Sequence, residues 1–118
     1  MQVYALRIFV QDLPAARTFY TDLLGLPVVW DREGAAFGLD AGISLIVEAV
    51  SENDPEEDRA LAGRFVGCSF QVDDIQGTYE RLRAAGVRFH GAPTEQAWGG
   101  TLAHFDDPGG NVLTLVSV

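Results

Sequence analysis

The chain contains no lysine, one cysteine and two histidines, and each shortage excludes a kind of chemistry. Without lysine, neither a Schiff-base intermediate nor a lysine general base is available. Cys68 alone allows no internal disulfide and no cysteine-based zinc cluster, so a reducing cytoplasm is the expected location. No apolar run approaches the ~18 residues of a membrane span. No basic stretch leads into a long apolar run, so no signal peptide is predicted.

Positive charge is also scarce, with 8 basic against 17 acidic residues and a net charge of −9. This balance argues against nucleic acid as a partner, because phosphate binding needs clustered positive charge. It would favour a cationic ligand, although acidic surfaces mostly serve solubility. A length of 118 residues with 47% hydrophobic side chains is typical of one compact domain with its own core. We predict a single domain over residues 1–118.

The first half of the chain has the pattern of a strand, a helix and three further strands. Strands are predicted over residues 3–10, 28–30, 35–39 and 43–49, from their apolar runs and alternation. Asp12 and Pro14 are typical of a helix N-terminus, and Gly25 is typical of its end. In the first strand, alternation puts one apolar face on Tyr4, Leu6, Ile8 and Val10, so Arg7 and Phe9 are expected on the other.

The second half repeats this order. An alternating strand over residues 65–72 precedes a helix that Asp74 opens and Gly86 ends, and strands follow over residues 87–90, 101–106 and 112–118. Residues 107–111 form a predicted turn. We predict an α+β fold of two βαβββ modules, about 1–50 and 64–118, joined by an acidic linker of about 51–63. The two modules are expected to form curved mixed sheets around a groove, with helices on the outer face.

Three segments resemble one known superfamily. The glyoxalase, bleomycin-resistance and extradiol dioxygenase domains, together called the vicinal oxygen chelate superfamily, have openings similar to RIFVQDLPAARTFYTDLLGLPVV, a second-module version similar to FQVDDIQGTYERLRAAGVRF, and a closing hairpin similar to WGGTLAHFDDPGGNVLTLVSV. The resemblance covers almost the whole chain except the linker. It implies the fold and a small-molecule ligand in the groove, but no single activity, since this fold hosts many chemistries.

The resemblance also implies four positions for metal ligands, at the first and last strands of each module. These positions hold Ala5, Ser44, Gly67 and Thr114. Metal-using relatives carry histidine, glutamine or glutamate there, whereas alanine and glycine offer no donor atom and neutral hydroxyls are poor ligands. If the alignment were shifted by one residue, neighbouring apolar residues and Cys68 would fall at these positions. Those residues do not form a set of metal ligands either. We therefore expect neither a bound metal nor a cofactor.

The residues that could bind a ligand are polar or aromatic and are predicted to face the groove: Arg7, Phe9, Ser44, Glu48, Phe65, Trp98, His104 and Thr114. Each has a purely structural alternative. Glu48 fits an exposed strand end and Arg7 an internal salt bridge. His104 fits a hydrogen-bonded structural histidine, and the aromatic rings fit the core. We predict that Arg7 orients a carboxylate or phosphate of the ligand.

Three functions remain open at this point. The leading hypothesis is a metal-independent protein that binds a small organic ligand, aromatic or cationic, as drug-sequestering relatives do. The second is an enzyme of the glyoxalase class, a lyase, isomerase or dioxygenase, with a non-standard site and no catalytic residue that the sequence identifies. The third is a non-catalytic accessory domain. A homodimer is expected, with the groove completed either within one chain or between two chains.

Overall fold

The computed structural model describes all 118 residues, and these residues form two compact units. The first unit comprises Met1–Arg64 with Pro108–Asn111, and the second comprises Phe65–Asp107 with Val112–Val118. Each unit contains one four-stranded mixed sheet, which confirms the predicted α+β fold of two modules. No helix is long and apolar enough to cross a membrane.

The first unit contains β1 (Leu6–Val10), α1 (Leu13–Thr18), β2 (Val28–Arg32), β3 (Ala36–Asp40), β4 (Ser44–Ala49) and a short α2 (Glu56–Arg59). Its strand order is β1-β4-β3-β2, with β1 parallel to β4 and the other pairs antiparallel. The Asp12 carboxylate accepts a hydrogen bond from the Ala15 N–H and caps α1. The helix then widens into a π-helical turn over Phe19–Leu23, and Gly25 follows with a φ of +73°.

The core of the first unit lies between α1 and one face of its sheet. Its fully or almost fully buried side chains are Ile8, Val10, Phe19, Tyr20, Phe37, Leu39, Leu45 and Val47. Burial of one such apolar side chain contributes about 1.5–3 kcal/mol. The opposite face of this sheet is not covered by α1, and we call it the helix-free face of the first sheet.

The second unit contains β5 (Phe65–Gln71), α3 (Ile75–Ala84), β6 (Thr94–Glu95), β7 (Thr101–Asp106) and β8 (Val112–Ser117). Its strand order, β5-β8-β7-β6, repeats that of the first sheet, with β5 parallel to β8. Asp74 caps α3 through the Gly77 N–H. Phe89 packs between Tyr79 of α3 and Phe105 of β7, at ring-centroid distances of 4.8 and 5.5 Å.

Several predicted boundaries differ from the structure. The first strand begins at Leu6 rather than residue 3, and Tyr4 is 85% exposed, because the parallel pairing with β4 begins at Leu6. The strand predicted over residues 87–90 is wrong. Phe89 forms only an isolated bridge with Phe105, and the extended chain ends at Gly91, whose φ is +156°. β6, α2 and the π-helical turn were not predicted, and they are short elements within segments rich in turn-forming or charged residues.

Candidate functional site

The helix-free face of the first sheet gathers polar and aromatic side chains from all four strands. Because side chains alternate along a strand, the residues on this face are Arg7, Phe9, Trp30, Arg32, Ala36, Gly38, Asp40, Ser44, Ile46 and Glu48. A pocket of about 570 Å³ lies against it and includes both arginines, Trp30 and Glu48 in its lining. This volume is in the range of sites for small organic molecules.

Arg7 and Glu48 form an ion pair on this face. Arg7 donates from Nε and Nη2 to the two carboxylate oxygens of Glu48, and the Nη2–Oε1 distance is 3.0 Å. The guanidinium carbon lies 5.1 Å from the centroid of the Phe9 ring. The hydrogen bond with Glu48, followed by its negative charge, raises the pKa of Arg7. The negative charge of Glu48 thus compensates the positive charge of Arg7. This internal salt bridge is the structural alternative that was considered for Arg7.

Trp30 lies flat against the sheet beside this ion pair. A Cβ atom built on Gly38 would be 2.1 Å from the Trp30 Nε1 atom, so the indole occupies the space that a side chain at this position would fill. The guanidinium carbon of Arg32 lies 6.0 Å from the Trp30 ring. An aromatic ring supported by glycine offers a flat apolar surface on which another ring can stack.

The face of the second sheet opposite to α3, which we call its helix-free face, carries a row of polar residues from neighbouring strands. Ser69 is opposite Thr114, and Thr114 is opposite His104. His104 Nδ1 and Thr114 Oγ1 are 2.8 Å apart and share a hydrogen bond. His90 lies next to His104, because the backbone N–H of His90 donates a hydrogen bond to the His104 carbonyl. The ring of Phe65 stands edge-on to His104, with centroids 5.9 Å apart.

Asp106 lies beside this row. His90 Nε2 is 2.5 Å from one carboxylate oxygen of Asp106, and Arg88 Nε is 3.7 Å from the other. A pocket of about 240 Å³ is lined by both histidines of the chain. Neither His90 nor Asp106 was predicted as part of a site. Their proximity depends on the bridge between residues 89 and 105, which residue spacing does not indicate.

The eight predicted ligand-binding residues fall into three places. The first sheet brings together Arg7, Phe9, Ser44 and Glu48, and the second brings together Phe65, His104 and Thr114. Trp98 belongs to neither set. It lies in the loop before β7, is 62% exposed, and packs its ring against Gly100. Trp30 was considered as an aromatic residue that could line the groove but was not among the eight predicted residues, and Arg32 was not considered. The glycine at position 38 is the one local signal for a close approach to β3.

A pocket of about 830 Å³ lies on the other side of the first sheet, beside the start of α1. An ion pair between Arg17 and Asp31 borders it, and the Arg17 guanidinium carbon lies 5.6 Å from the Phe37 ring. None of the predicted site residues lines this pocket. The helix-free face of each sheet is therefore considered by itself as a candidate site.

The four positions implied for a metal do not form a donor set. Ala5 and Gly67 have no donor atom in their side chains, and the Thr114 hydroxyl is engaged with His104. Nor does the structure contain a group of three or more histidine, cysteine, aspartate or glutamate side chains placed to hold a metal ion. A divalent metal requires such donors to converge on one point, so these residues do not fit the metal that the resemblance implies.

Comparison with known proteins identifies relatives along nearly the whole chain. A bleomycin resistance protein of Klebsiella pneumoniae is 30% identical over 114 residues, covering 90% of this chain and 84% of the relative. A superfamily member from Sphaerobacter thermophilus is 28% identical with a TM-score of 0.82, covering 100% and 98%. TnmS3, an antibiotic binding protein from Streptomyces sp. CB03234, is 27% identical with a TM-score of 0.77, covering 99% and 95%.

The model of the Glyoxalase/Bleomycin resistance protein/Dioxygenase superfamily matches residues 2–115. That range includes the first sheet, all of the second sheet except the last two residues of β8, both capped helices and every predicted ligand-binding residue. The resemblance carried by the three sequence segments is thereby confirmed. The chain belongs to the glyoxalase/bleomycin resistance protein/dioxygenase superfamily.

Proposed function

We propose that this protein binds a small aromatic molecule on the helix-free face of the first sheet, without a metal ion. The observation that carries the proposal is Trp30, held flat over Gly38 within a pocket of about 570 Å³. The residues at the implied metal positions support the metal-independent part. The similarity to a bleomycin resistance protein and to an antibiotic-binding protein supports a binding function of the drug-sequestering kind.

Fluorescence of Trp30 tests the location of the ligand. The chain has two tryptophans, so Trp98→Phe leaves Trp30 as the only indole reporter. A thermal-shift screen of aromatic compounds first selects a ligand that raises the melting midpoint, as any ligand of the native state does. Adding that ligand to the Trp98→Phe variant is expected to quench Trp30 emission saturably.

The matched control is Trp30→Phe, in which only Trp98 emits. Quenching in this variant but not in Trp98→Phe would place the ligand at Trp98 and refute the proposed site. Binding is also expected to persist after EDTA treatment, and elemental analysis is expected to find less than about one tenth of a metal ion per chain. A stoichiometric zinc, nickel or iron would refute metal independence.

The hydrogen bond between His104 and Thr114 favours a second candidate function, an enzyme of the glyoxalase class. A hydroxyl that orients an imidazole prepares it to accept or donate a proton. Under this hypothesis, His104→Gln abolishes turnover of a glyoxalase-type substrate and leaves its binding intact. If wild type shows no turnover while the aromatic ligand still binds, the binding function alone remains.

A further inference from the structure

The binding pocket of the first sheet differs in charge from the protein as a whole. Its charged lining residues are Arg7, Arg32 and Glu48, which together carry one net positive charge, whereas the whole chain carries −9. Charges beyond about 8–10 Å are largely screened at physiological ionic strength. The charged groups that line this pocket itself are therefore positive in sum, in contrast to the whole chain.

The two arginines of the pocket differ in their partners. Arg7 donates two hydrogen bonds to the carboxylate of Glu48, so the charge of Arg7 is compensated within the protein. Arg32 forms no ion pair within 4.0 Å, and its nearest described partner is the Trp30 ring at 6.0 Å, the outer limit of a cation–π contact. A guanidinium without a carboxylate partner is well suited to a bidentate interaction with a carboxylate.

We propose that the ligand is an aromatic carboxylate whose ring stacks on Trp30 and whose carboxylate binds Arg32. The inference rests on the proposed function and names the ligand class of the same site. It transfers to Arg32 the anion-binding role predicted for Arg7, because Arg7 is already neutralised. An aromatic cation would find only Glu48 in this pocket, and Glu48 is already engaged by Arg7.

Two further carboxylates lie near Arg32 without pairing with it. Glu52 and Asp54 line an adjoining pocket of about 900 Å³ that Arg32 and Glu48 share. Asp54 instead accepts a hydrogen bond from the Ser51 N–H, at 2.7 Å, within its own loop. A ligand carboxylate can therefore reach Arg32 without displacing an existing partner, although these side chains lower the long-range attraction.

Calorimetric titration with three naphthalene probes tests the inference. The probes are 2-naphthoate, 2-naphthylmethanol and 2-naphthylmethylammonium, which share one ring system and differ in charge. We expect the naphthoate to bind the full-length protein at least tenfold more tightly than the ammonium, with the alcohol between them. Arg32→Gln is expected to weaken naphthoate binding about tenfold and to leave the affinity for the alcohol unchanged.

Arg83→Gln is the matched control, because Arg83 also lies over an aromatic ring, that of Tyr79 at 5.9 Å, but in the second unit. It is expected to bind all three probes as wild type does. Arg32→Lys retains the charge without the planar fork, so we expect about a threefold loss for naphthoate. Unchanged affinity of the Arg32→Gln variant for the alcohol shows that its fold and pocket are intact.

The outcomes distinguish this inference from the proposed function. Tighter binding of the ammonium, lost in Glu48→Gln, would overturn the inference and leave the proposed function standing. Equal affinity for the three probes, or a naphthoate affinity insensitive to Arg32→Gln, would also overturn the inference alone. Absence of binding by all three probes at millimolar concentration would count against both.

Discussion

Replacing Asn111 by alanine removes three hydrogen bonds at once. This side chain is 0% exposed. Its Oδ1 atom accepts from the Gly63 and Arg64 N–H groups at 2.9 and 3.2 Å, and its Nδ2 atom donates to the Phe9 carbonyl at 2.9 Å. It therefore joins the end of the linker to β1, within the first unit. The turn over residues 107–111 was predicted from its composition, but this function of its last residue was not.

The expected cost of Asn111→Ala follows from these contacts. A protein hydrogen bond contributes about 0.5–1.5 kcal/mol net, and a buried group left unpaired costs more. Gly63 and Arg64 are exposed, so water can replace two of the three bonds. We expect a loss of about 2–3 kcal/mol of unfolding free energy, a sizeable part of the ~5–15 kcal/mol total of a typical domain.

Urea unfolding followed by tryptophan fluorescence and circular dichroism measures this loss. The urea concentration at the unfolding midpoint is expected to fall. The slope of the unfolding free energy against urea concentration is expected to stay constant, because the same surface is exposed on unfolding. The chain's other asparagine, Asn53, is exposed, and Asn53→Ala is the control, with a change within about 0.5 kcal/mol. A loss below about 0.5 kcal/mol for Asn111→Ala would refute the argument that these bonds stabilise the unit.

Further predictions concern the helix cap, the cysteine, the Trp30 support and the assembly. Asp74→Ala is expected to cost about 1 kcal/mol in urea unfolding because it removes the cap of α3, whereas Asp73→Ala next to it leaves stability unchanged. Burial raises the pKa of the Cys68 thiol, so iodoacetamide at pH 8 is expected to react far faster in urea than with folded protein. This group favours the folded state below its unfolded pKa, and that contribution is lost as pH rises through the higher folded pKa. Equal alkylation rates would contradict this. Gly38→Ala is expected to displace Trp30, which a shift in tryptophan emission reports; an unchanged spectrum would show that the ring is not held there. Light scattering at micromolar concentration is expected to show a homodimer, and a mass that stays at 12.8 kDa on concentration would exclude it.

Local patterns predict the faces of the strands well. The alternation over residues 3–10 predicts one face of Tyr4, Leu6, Ile8 and Val10. Ile8 and Val10 are buried as expected, whereas Tyr4 precedes β1 and is exposed. Asp12 and Asp74 cap the two helices because a side-chain acceptor at that position satisfies a free N–H of the first turn. Such features depend only on residues within a few positions of each other, which is why the sequence reveals them.

Contacts between residues that are far apart in the sequence were harder to predict. Arg7 and Glu48 were both named as site candidates, but their ion pair follows from the parallel register of β1 and β4, in which Arg7 is opposite Ile46 and Phe9 is opposite Glu48. The segment around Phe89 has the composition of a strand, yet Gly91 turns the chain after one bridge. Register and chain direction are set by packing across the unit, and no single segment encodes them.

The negative charge inferred for the ligand follows from the alternation of side chains along β2. A net charge of −9 governs solubility and encounter over long distances, whereas the groups within a few ångströms decide which ligand binds. Asp31 and Arg32 are adjacent in sequence but lie on opposite faces of β2. Asp31 pairs with Arg17 on the helix side, so it cannot neutralise Arg32 on the other side. The two-residue period of one strand thus leaves an unpaired guanidinium beside Trp30, and from it we infer an anionic ligand in an acidic protein.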